Sequence, residues 1–232
     1  MEKTKVLIVA AHPDDEVLGA FSYLSNPAFI CKTIFLCEGS SARFDSKTSL
    51  IEKTNAIDLR EKAAVEVAHQ LKNGVPVFIN FPNFSLSQIS ILEINQKIRK
   101  ELELFMPDVL ITHSTFCNNL DHSTASVAIS NLVRSNAYPQ IACILHMEIP
   151  SSTEQKHNGG FTPNLFRVMS DYQVSEKIRM LSIYGDELQI DPAPRSPHAI
   201  RAYAGFRGLG AGTFYAEAFQ LVRYISNGKS VL

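Results

Sequence analysis

The sequence predicts an α/β fold whose sheet is mostly parallel and doubly wound, with helices on both faces. Short apolar runs alternate with stretches of helical periodicity over the first 150 residues. The runs are apolar at almost every position, as in strands that are buried on both faces of a sheet. No internal repeat or low-complexity tract interrupts this alternation. Successive β-α-β units of this kind build a parallel sheet.

Five apolar runs are the predicted strands: residues 6–11, 33–38, 76–81, 108–113 and 142–149. Four stretches between them are the predicted helices: residues 15–25, 56–72, 89–105 and 121–136. Asn73-Gly74 would end the second helix, and Asp121 would cap the start of the fourth.

The composition changes at about residue 150, where the chain becomes rich in Gly, Ser, Thr and Pro. We expect a long loop there, followed by helices. No linker separates the two parts, so residues 1–232 are predicted to form a single domain with a loop-rich C-terminal part.

Bulk composition excludes several classes of partner. The chain has 232 residues, of which 45% are hydrophobic and 19% charged, with a formal net charge of −1. This balance is globular and provides no basic surface for nucleic acid or an anionic membrane. No apolar segment approaches the roughly 18–20 residues of a membrane span. The four cysteines form no CxxC pair, so we expect reduced, buried thiols and a cytoplasmic location.

Polar side chains follow the predicted strands at their carboxyl ends: His12, Asp14, Asp15, Glu38, Arg43, Asn83, His113, Asp121, His122 and Glu148. The carboxyl ends of parallel strands meet at one edge of a sheet, where ligands bind. We therefore expect these groups to lie together. The adjacent acids of AHPDDE (residues 11–16) would repel one another unless a positive charge lies among them.

His12, Asp15 and His122 are the predicted metal ligands. Two imidazoles and one carboxylate recur around catalytic zinc, which lowers the pKa of bound water to about 7. Asp14, beside a ligand, is the predicted general base. The alternative is that Asp14 or Asp15 only caps the helix that follows.

Several motifs, in this order, resemble the PIG-L/LmbE-like zinc-dependent N-deacetylases: AHPDDE, EGSSARF (38–44), PDVLITH (107–113), LDH (120–122), MEIPSSTE (147–154), FTPNLF (161–166), PRSPHAIRAYAGFRG (194–208) and YAEAF (215–219). The resemblance implies a Rossmann-like fold and removal of an N-acetyl group from an N-acetylglucosamine-type sugar. It implies the same roles for His12, Asp15, His122 and Asp14. Iron, cobalt or nickel could replace zinc on these donors.

One position departs from the family. Many members have a histidine three residues before the last ligand, where it stabilises the oxyanion, and this chain has Asn119. An amide can donate a hydrogen bond to an oxyanion but carries no charge. Asn119 and His113 are therefore the two candidates for this role. Asp121 is interpreted as orienting a ligand, as capping the helix, or as both.

Arg43, Asn83 and Glu148 are the candidate substrate-binding residues. Arg43 would meet a phosphate or a sugar hydroxyl, with a solvated loop arginine as the alternative. Asn83 would contact a sugar hydroxyl or shape a turn, and Glu148 would line the cleft. The substrate is expected to be an amino sugar, free or linked to a nucleotide or lipid.

Other polar residues receive structural interpretations. Arg60 is expected to pair with acids, Arg207 to brace the loop after residue 150, and His146 to be a satisfied core histidine. Cys117 is interpreted as packing. Glu16 is either an acceptor behind the site or an acid favoured by the helix dipole.

Two rival functions remain open. One is a related amidase acting on a thiol-linked or lipid-linked amide. The other is a sugar- or nucleotide-binding protein without turnover, although the missing GxGxxG after the first strand argues against a dinucleotide. The sequence leaves the oligomeric state open, and a homo-oligomer is one alternative.

Overall fold

One seven-stranded sheet runs through the computed structural model, which describes residues 3–134, 137–155 and 159–226. Its strands are, in chain order, β1 (Thr4–Ala10), β2 (Phe29–Cys37), β3 (Val77–Phe81), β4 (Val109–His113), β5 (Cys143–Met147), β6 (Leu165–Met169) and β7 (Tyr215–Tyr224). Their spatial order is β3-β2-β1-β4-β5-β7-β6. The first five are mutually parallel, and β7 pairs antiparallel with both β5 and β6.

Helices cover both faces of the sheet. They are α1 (Asp15–Leu24), α2 (Leu50–Gln70), α3 (Ile91–Phe105), α4 (Leu120–Leu132), α5 (Asp171–Ser182) and α6 (Pro197–Ala211). Val6, Ile8 and Ala10 of β1 pack into the core beneath α1, α2, α5 and α6, whereas Leu7 and Val9 pack toward α3 and α4. Alternate residues of a strand point to opposite faces, so this central strand is apolar throughout. The predicted α/β class and doubly wound sheet are confirmed.

The C-terminal part required a correction. Two helices lie there as expected, and two strands that were not predicted, β6 and β7, extend the sheet. Continuous apolar runs are typical of buried parallel strands, whereas antiparallel strands alternate polar and apolar residues. The run YAEAFQLVRY of β7 has this mixed character. Residues 156–158 of the predicted loop lie outside the described residues.

Three helix starts also differ from the predictions, and α3 begins at Ile91, two residues late. α2 begins at Leu50, six residues early, because Ser49 and Glu52 form a reciprocal capping box. α4 begins at Leu120, and its N-cap is Asn119 rather than Asp121. The predicted cap role of Asp121 is therefore wrong. α4 ends at Leu132, and positions 135–136 of the predicted helix lie outside the described residues.

The strand order reverses between β1 and β4. The chain leaves β1 toward β2 on one side, and β4 continues to β5 on the other. Such a switch point opens a crevice at the carboxyl ends of the two strands, which is where open α/β sheets bind ligands. The segment after β1 begins at Ala11, and β4 ends at His113.

Candidate active site

A strained turn joins β1 to α1. Asp14 has φ +123°, a conformation that non-glycine residues rarely adopt. Its backbone N–H donates to Glu16 Oε2 at 3.0 Å, and Tyr184 Oη donates to Glu16 Oε1 at 2.5 Å. Burial raises the pKa of Glu16 to about 7. Glu16 is thus the acceptor that holds the turn from behind. Asp14 occupies the N-cap position, but its side chain makes no capping hydrogen bond.

Three buried donor atoms form a triangle at the switch point. His12 Nδ1 lies 3.2 Å from His122 Nε2 and 3.3 Å from Asp15 Oδ2, and His122 Nε2 lies 3.3 Å from Asp15 Oδ2. Tetrahedral ligands at about 2.0–2.1 Å from an ion would be about 3.3–3.4 Å apart. The three predicted ligands are therefore spaced as three of the four ligands of a tetrahedral metal ion would be.

The outer nitrogens of both imidazoles have partners of their own. His12 Nε2 lies 3.0 Å from Asp121 Oδ2, and His122 Nδ1 lies 3.1 Å from Cys117 Sγ. Protons on these outer nitrogens would leave two lone pairs facing each other across 3.2 Å. A cation between them satisfies both, and the outer contacts would orient the rings. The donor set fits a metal ion.

Close contact among the three donors shifts the pKa values of His122 and Asp15 strongly when no ion is bound. Burial lowers the pKa of His122, but the Asp15 carboxylate outweighs burial and raises it to about 10. Burial raises the pKa of Asp15, yet His122 and His113 hold it well below its usual range. Asp15 Oδ1 is buried and has no hydrogen-bond partner among the described residues. A proton and a metal ion would therefore compete for Nε2 of His122.

A second donor set, from His12, Cys37 and Asp121, also lies within 4.8 Å. Burial raises the pKa of the Cys37 thiol, which keeps it protonated. Asp121 already accepts the N–H groups of Phe84, at 2.6 Å, and Leu86, at 2.9 Å. The first set therefore suits a metal ion better than the second. Asp121 is placed to orient His12 and to anchor the turn after β3.

Asp14 lies beside this triangle and faces two guanidinium groups. Its Oδ2 accepts from Arg195 Nη1 at 2.7 Å and Arg60 Nη2 at 3.0 Å. Its Oδ1 is buried and unpartnered among the described residues. Burial raises the pKa of Asp14 to about 6, against the opposing effect of the two arginines. Asp14 thus has one anchored oxygen and one free oxygen, as a general base requires.

The two oxyanion candidates differ in access. His113 is fully buried, stacks on His122 at 4.0 Å, and accepts the Ala11 N–H at Nε2 over 2.8 Å. Because Nε2 accepts this bond, the ring proton lies on Nδ1. Nδ1 is buried, which argues against His113 as a donor to substrate. Asn119 is partly exposed, and its Oδ1 accepts from Asp121 N–H at 2.9 Å. Its amide nitrogen remains as a donor.

The three candidate substrate-binding residues take different places. Arg43 is at the rim, with 53% of its side chain exposed. The backbone of Asn83 shapes the turn after β3, since its N–H donates to Glu38 Oε1 at 2.7 Å, and the sugar contact of its side chain stays a prediction. Glu148 is buried, where its carboxylate accepts from Tyr203 Oη at 2.7 Å and Arg207 Nε at 2.8 Å. Both oxygens of Glu148 are used internally, which argues against a direct contact with substrate.

Three partners of the site escaped the sequence interpretation. Arg195 contacts Asp14, Glu187 faces Arg195, and Cys117 contacts His122 rather than only packing. Arg195 lies inside one of the motifs that resemble the family, but nothing in its spacing indicates a distant carboxylate. The predicted pairing of Arg60 with acids, by contrast, is confirmed.

Comparison with known proteins places the chain. The model of the PIG-L family, described as GlcNAc-PI de-N-acetylase, matches residues 7–133, more than half of the sequence. The chain therefore belongs to the PIG-L family, and the prediction of a PIG-L/LmbE-like N-deacetylase is confirmed. A search of curated proteins finds no match by sequence. Among the described residues, no helix combines the length and apolarity that crossing a bilayer requires.

Solved structures share the fold. The N,N'-diacetylchitobiose deacetylase from Pyrococcus horikoshii has a TM-score of 0.74 at 16% identity, covering 100% of this chain and 90% of that one. The teicoplanin deacetylase Orf2, in a zinc-inhibited form, has a TM-score of 0.72 at 15% identity, covering 97% and 100%. GalB, the 4-carboxy-2-hydroxymuconate hydratase from Pseudomonas putida KT2440, has a TM-score of 0.71 at 17% identity, covering 98% and 100%. A hydratase in this group shows that the fold alone does not select the reaction.

Proposed function

We propose that this protein is a zinc-dependent hydrolase that removes the N-acetyl group from an N-acetylglucosamine-type sugar or sugar conjugate. The observation that carries the proposal is the buried triangle of His12, Asp15 and His122 beside the free oxygen of Asp14. Family membership supports the reaction class. Two structural relatives are named as deacetylases of a sugar and of a glycopeptide.

Zinc suits the donors, because two imidazoles and one carboxylate leave a position for water and substrate. His12, Asp15 and His122 would hold the ion. When bound, it supplies Lewis acidity for the acetyl carbonyl and lowers the pKa of water. Iron or another divalent metal remains an alternative for the same set.

Asp14 moves the protons. Its Oδ2 stays on Arg60 and Arg195, which fixes the carboxylate, while Oδ1 takes the proton of the attacking water. A carboxyl group with a pKa of about 6 can accept this proton and later return it to the leaving amine. The bond between the acetyl carbon and the sugar nitrogen breaks in this step. The products are acetate and the amino sugar.

Asn119 stabilises the developing oxyanion by donating a hydrogen bond. Its side-chain oxygen is fixed by the first N–H groups of α4, and its amide nitrogen would donate to the carbonyl oxygen of the substrate. Compared with a histidine, the amide supplies a neutral hydrogen bond and no proton. Asp14 must therefore carry out the proton transfers without help from residue 119.

The substrate would be a small amino sugar, free or linked to a nucleotide or lipid. A cytoplasmic location and a homo-oligomer stay predictions. The rival amidase on a thiol- or lipid-linked amide would use the same residues, so a panel of N-acetyl substrates separates it. Turnover of any substrate in the panel would exclude the alternative of a non-catalytic binding protein.

Metal content is the decisive experiment. Protein purified without added metal should hold about one zinc or iron ion per chain, and Asp15→Ala should lose most of it. Asp58→Ala, which removes an exposed carboxylate from α2, is the matched control and should keep the ion. Acetate release from N-acetylglucosamine should follow metal content. Equal metal in wild type and Asp15→Ala would overturn the ligand set.

A further inference from the structure

Three arginine side chains converge on one buried carboxylate, that of Glu187. Arg43 Nη2 lies 2.6 Å and Arg60 Nη1 2.5 Å from Glu187 Oε1, and Arg195 Nη1 lies 2.9 Å from Oε2. Arg195 also bridges to Asp14. The cluster therefore begins at the proposed general base and ends at Arg43.

The charges in this cluster do not balance. Asp14 and Glu187 match the two inner guanidinium groups, whose side chains are 9% exposed in Arg60 and 17% in Arg195. Arg43 is the surplus cation, and it shares one carboxylate oxygen with Arg60. Burial raises the pKa of Glu187, but the three arginines outweigh this and hold it at about 2. The hydrogen bond from Arg43 is the largest of these lowering effects, so Glu187 is a fixed anion that in turn holds the Arg43 guanidinium in place.

The loop that carries Arg43 is tied to the active site. Cys37 N–H donates to Ala11 O at 2.8 Å, which joins the ends of β2 and β1. The Glu38 carboxylate then accepts the Ser41 N–H at 3.0 Å and folds the loop back. Arg43 ends the short 3-10 turn that follows, with half its side chain in solvent. A guanidinium held at the rim in this way can form bidentate bonds to an incoming anion.

We propose that Arg43 is an anion subsite for the substrate, so that the enzyme prefers N-acetyl sugars that carry a phosphate or a carboxylate over neutral ones. The inference rests on the proposed deacetylase function and adds the chemical class of the substrate. Arg60 and Arg195 provide the rigid backing: they hold Glu187, and Glu187 holds the guanidinium of Arg43.

The test compares three substrates with the metal-loaded enzyme at constant ionic strength. These are N-acetylglucosamine, N-acetylglucosamine 1-phosphate and N-acetylmuramic acid, whose lactyl group carries a carboxylate. We expect kcat/KM for at least one acidic sugar to exceed that for the neutral sugar about tenfold. The phosphate and carboxylate arms identify which anion the subsite takes.

Arg43→Gln should abolish this preference, lowering the ratio of acidic to neutral kcat/KM about tenfold. Lys47→Gln is the matched control, because it removes a positive charge from the same loop without a contact to Glu187. Its ratio should stay that of the wild type. Equal ratios in wild type and Arg43→Gln, in both arms, would overturn the subsite.

Calorimetric titration separates this inference from the deacetylase proposal. N-acetylglucosamine 1-phosphate and N-acetylmuramic acid are titrated into wild type and Arg43→Gln, with no turnover needed. If the acidic sugars bind only when Arg43 is present but no acetate is released, the anion subsite is supported and the deacetylase proposal is overturned. Acetate release from the neutral sugar, with no effect of Arg43 on either acidic sugar, retains the deacetylase and overturns the subsite.

Discussion

The thiol of Cys117 lies 3.1 Å from Nδ1 of His122, the ring nitrogen that does not contact Asp15. A carboxylate, carbonyl or water usually occupies this place behind a metal-binding histidine. Burial raises the pKa of Cys117, but the contact with His122 lowers it overall. Ser152 Oγ, at 3.1 Å, holds the sulfur from the loop after β5. The cysteine interpreted as packing is therefore the partner of a proposed ligand.

Removing this partner should weaken metal binding. We expect Cys117→Ala to lower the zinc affinity about 10- to 100-fold, because Nδ1 loses its acceptor and the ring its orientation. Cys117→Ser should recover part of the loss through its hydroxyl. Competition with a chromogenic chelator measures the affinity. Cys143→Ala, a buried cysteine of β5, is the control, and the same affinity in Cys117→Ala and this control would refute the role.

Asp14→Asn should keep the metal and lose the chemistry. The amide cannot accept the proton of water, so kcat should fall about 10²- to 10⁴-fold, while zinc per chain stays that of the wild type. Asp186→Asn, an exposed change next to Glu187, should leave both unchanged. Acetate release and metal analysis on the same preparations give the result. Wild-type turnover in Asp14→Asn would remove Asp14 from the mechanism.

Asn119 has two roles that one pair of variants can separate. Asn119→Asp retains a side-chain oxygen for the cap of α4 but has no donor for an oxyanion. Its thermal midpoint should stay near that of the wild type, while kcat falls about 10²- to 10³-fold. Asn119→Ala should lose the same activity and also about 1 kcal/mol of stability. If Asn119→Asp keeps full activity, the amide donates nothing to the reaction.

His146 should make the fold sensitive to acid. Burial lowers its pKa from 6.5 to about 4, and the nearby Gln220 side chain opposes this only in part. The unfolded chain binds the proton first, so this contribution to stability is complete above pH 6.5 and is lost as the pH falls toward 4. The loss amounts to at most about 3 kcal/mol.

Urea denaturation at several pH values in that interval tests this prediction. His146→Gln should show a flatter fall of the unfolding free energy than the wild type, because no imidazole is left to charge. His69→Gln, which changes an exposed histidine of α2, should follow the wild-type curve. A slope in His146→Gln as steep as that of the wild type would contradict the assignment.

The Glu148–Arg207 pair should matter for stability. Arg207→Met leaves a buried carboxylate without its cation and should cost about 3–5 kcal/mol. Arg207→Met combined with Glu148→Leu should recover most of this loss. Arg179→Met breaks a surface pair with Glu176 and should cost less than about 1 kcal/mol. Chemical denaturation supplies all values, and a neutral Arg207→Met would reopen a cleft role for Glu148.

Sequence reasoning located the site because its main parts are local. His12 and Asp15 lie three residues apart in one turn, and a parallel sheet brings strand ends together whatever the loops contain. Sequence reasoning failed where two neighbouring residues could each fill the same structural role. Asn119 or Asp121 could each cap α4, and the choice depended on Asp121 finding His12 and the N–H groups after β3.

The sequence by itself determined the α/β class, and it predicted which edge of the sheet would carry the candidate site and its three candidate donors, His12, Asp15 and His122. These follow from periodicity and from motif positions along the chain. Only the tertiary structure decided which charges meet: Arg195 reaches Asp14 across 181 positions, and Arg207 reaches Glu148 across 59. The reason is physical, because a buried charge takes whichever counter-charge the packing brings within hydrogen-bond distance, and sequence spacing does not contain that distance.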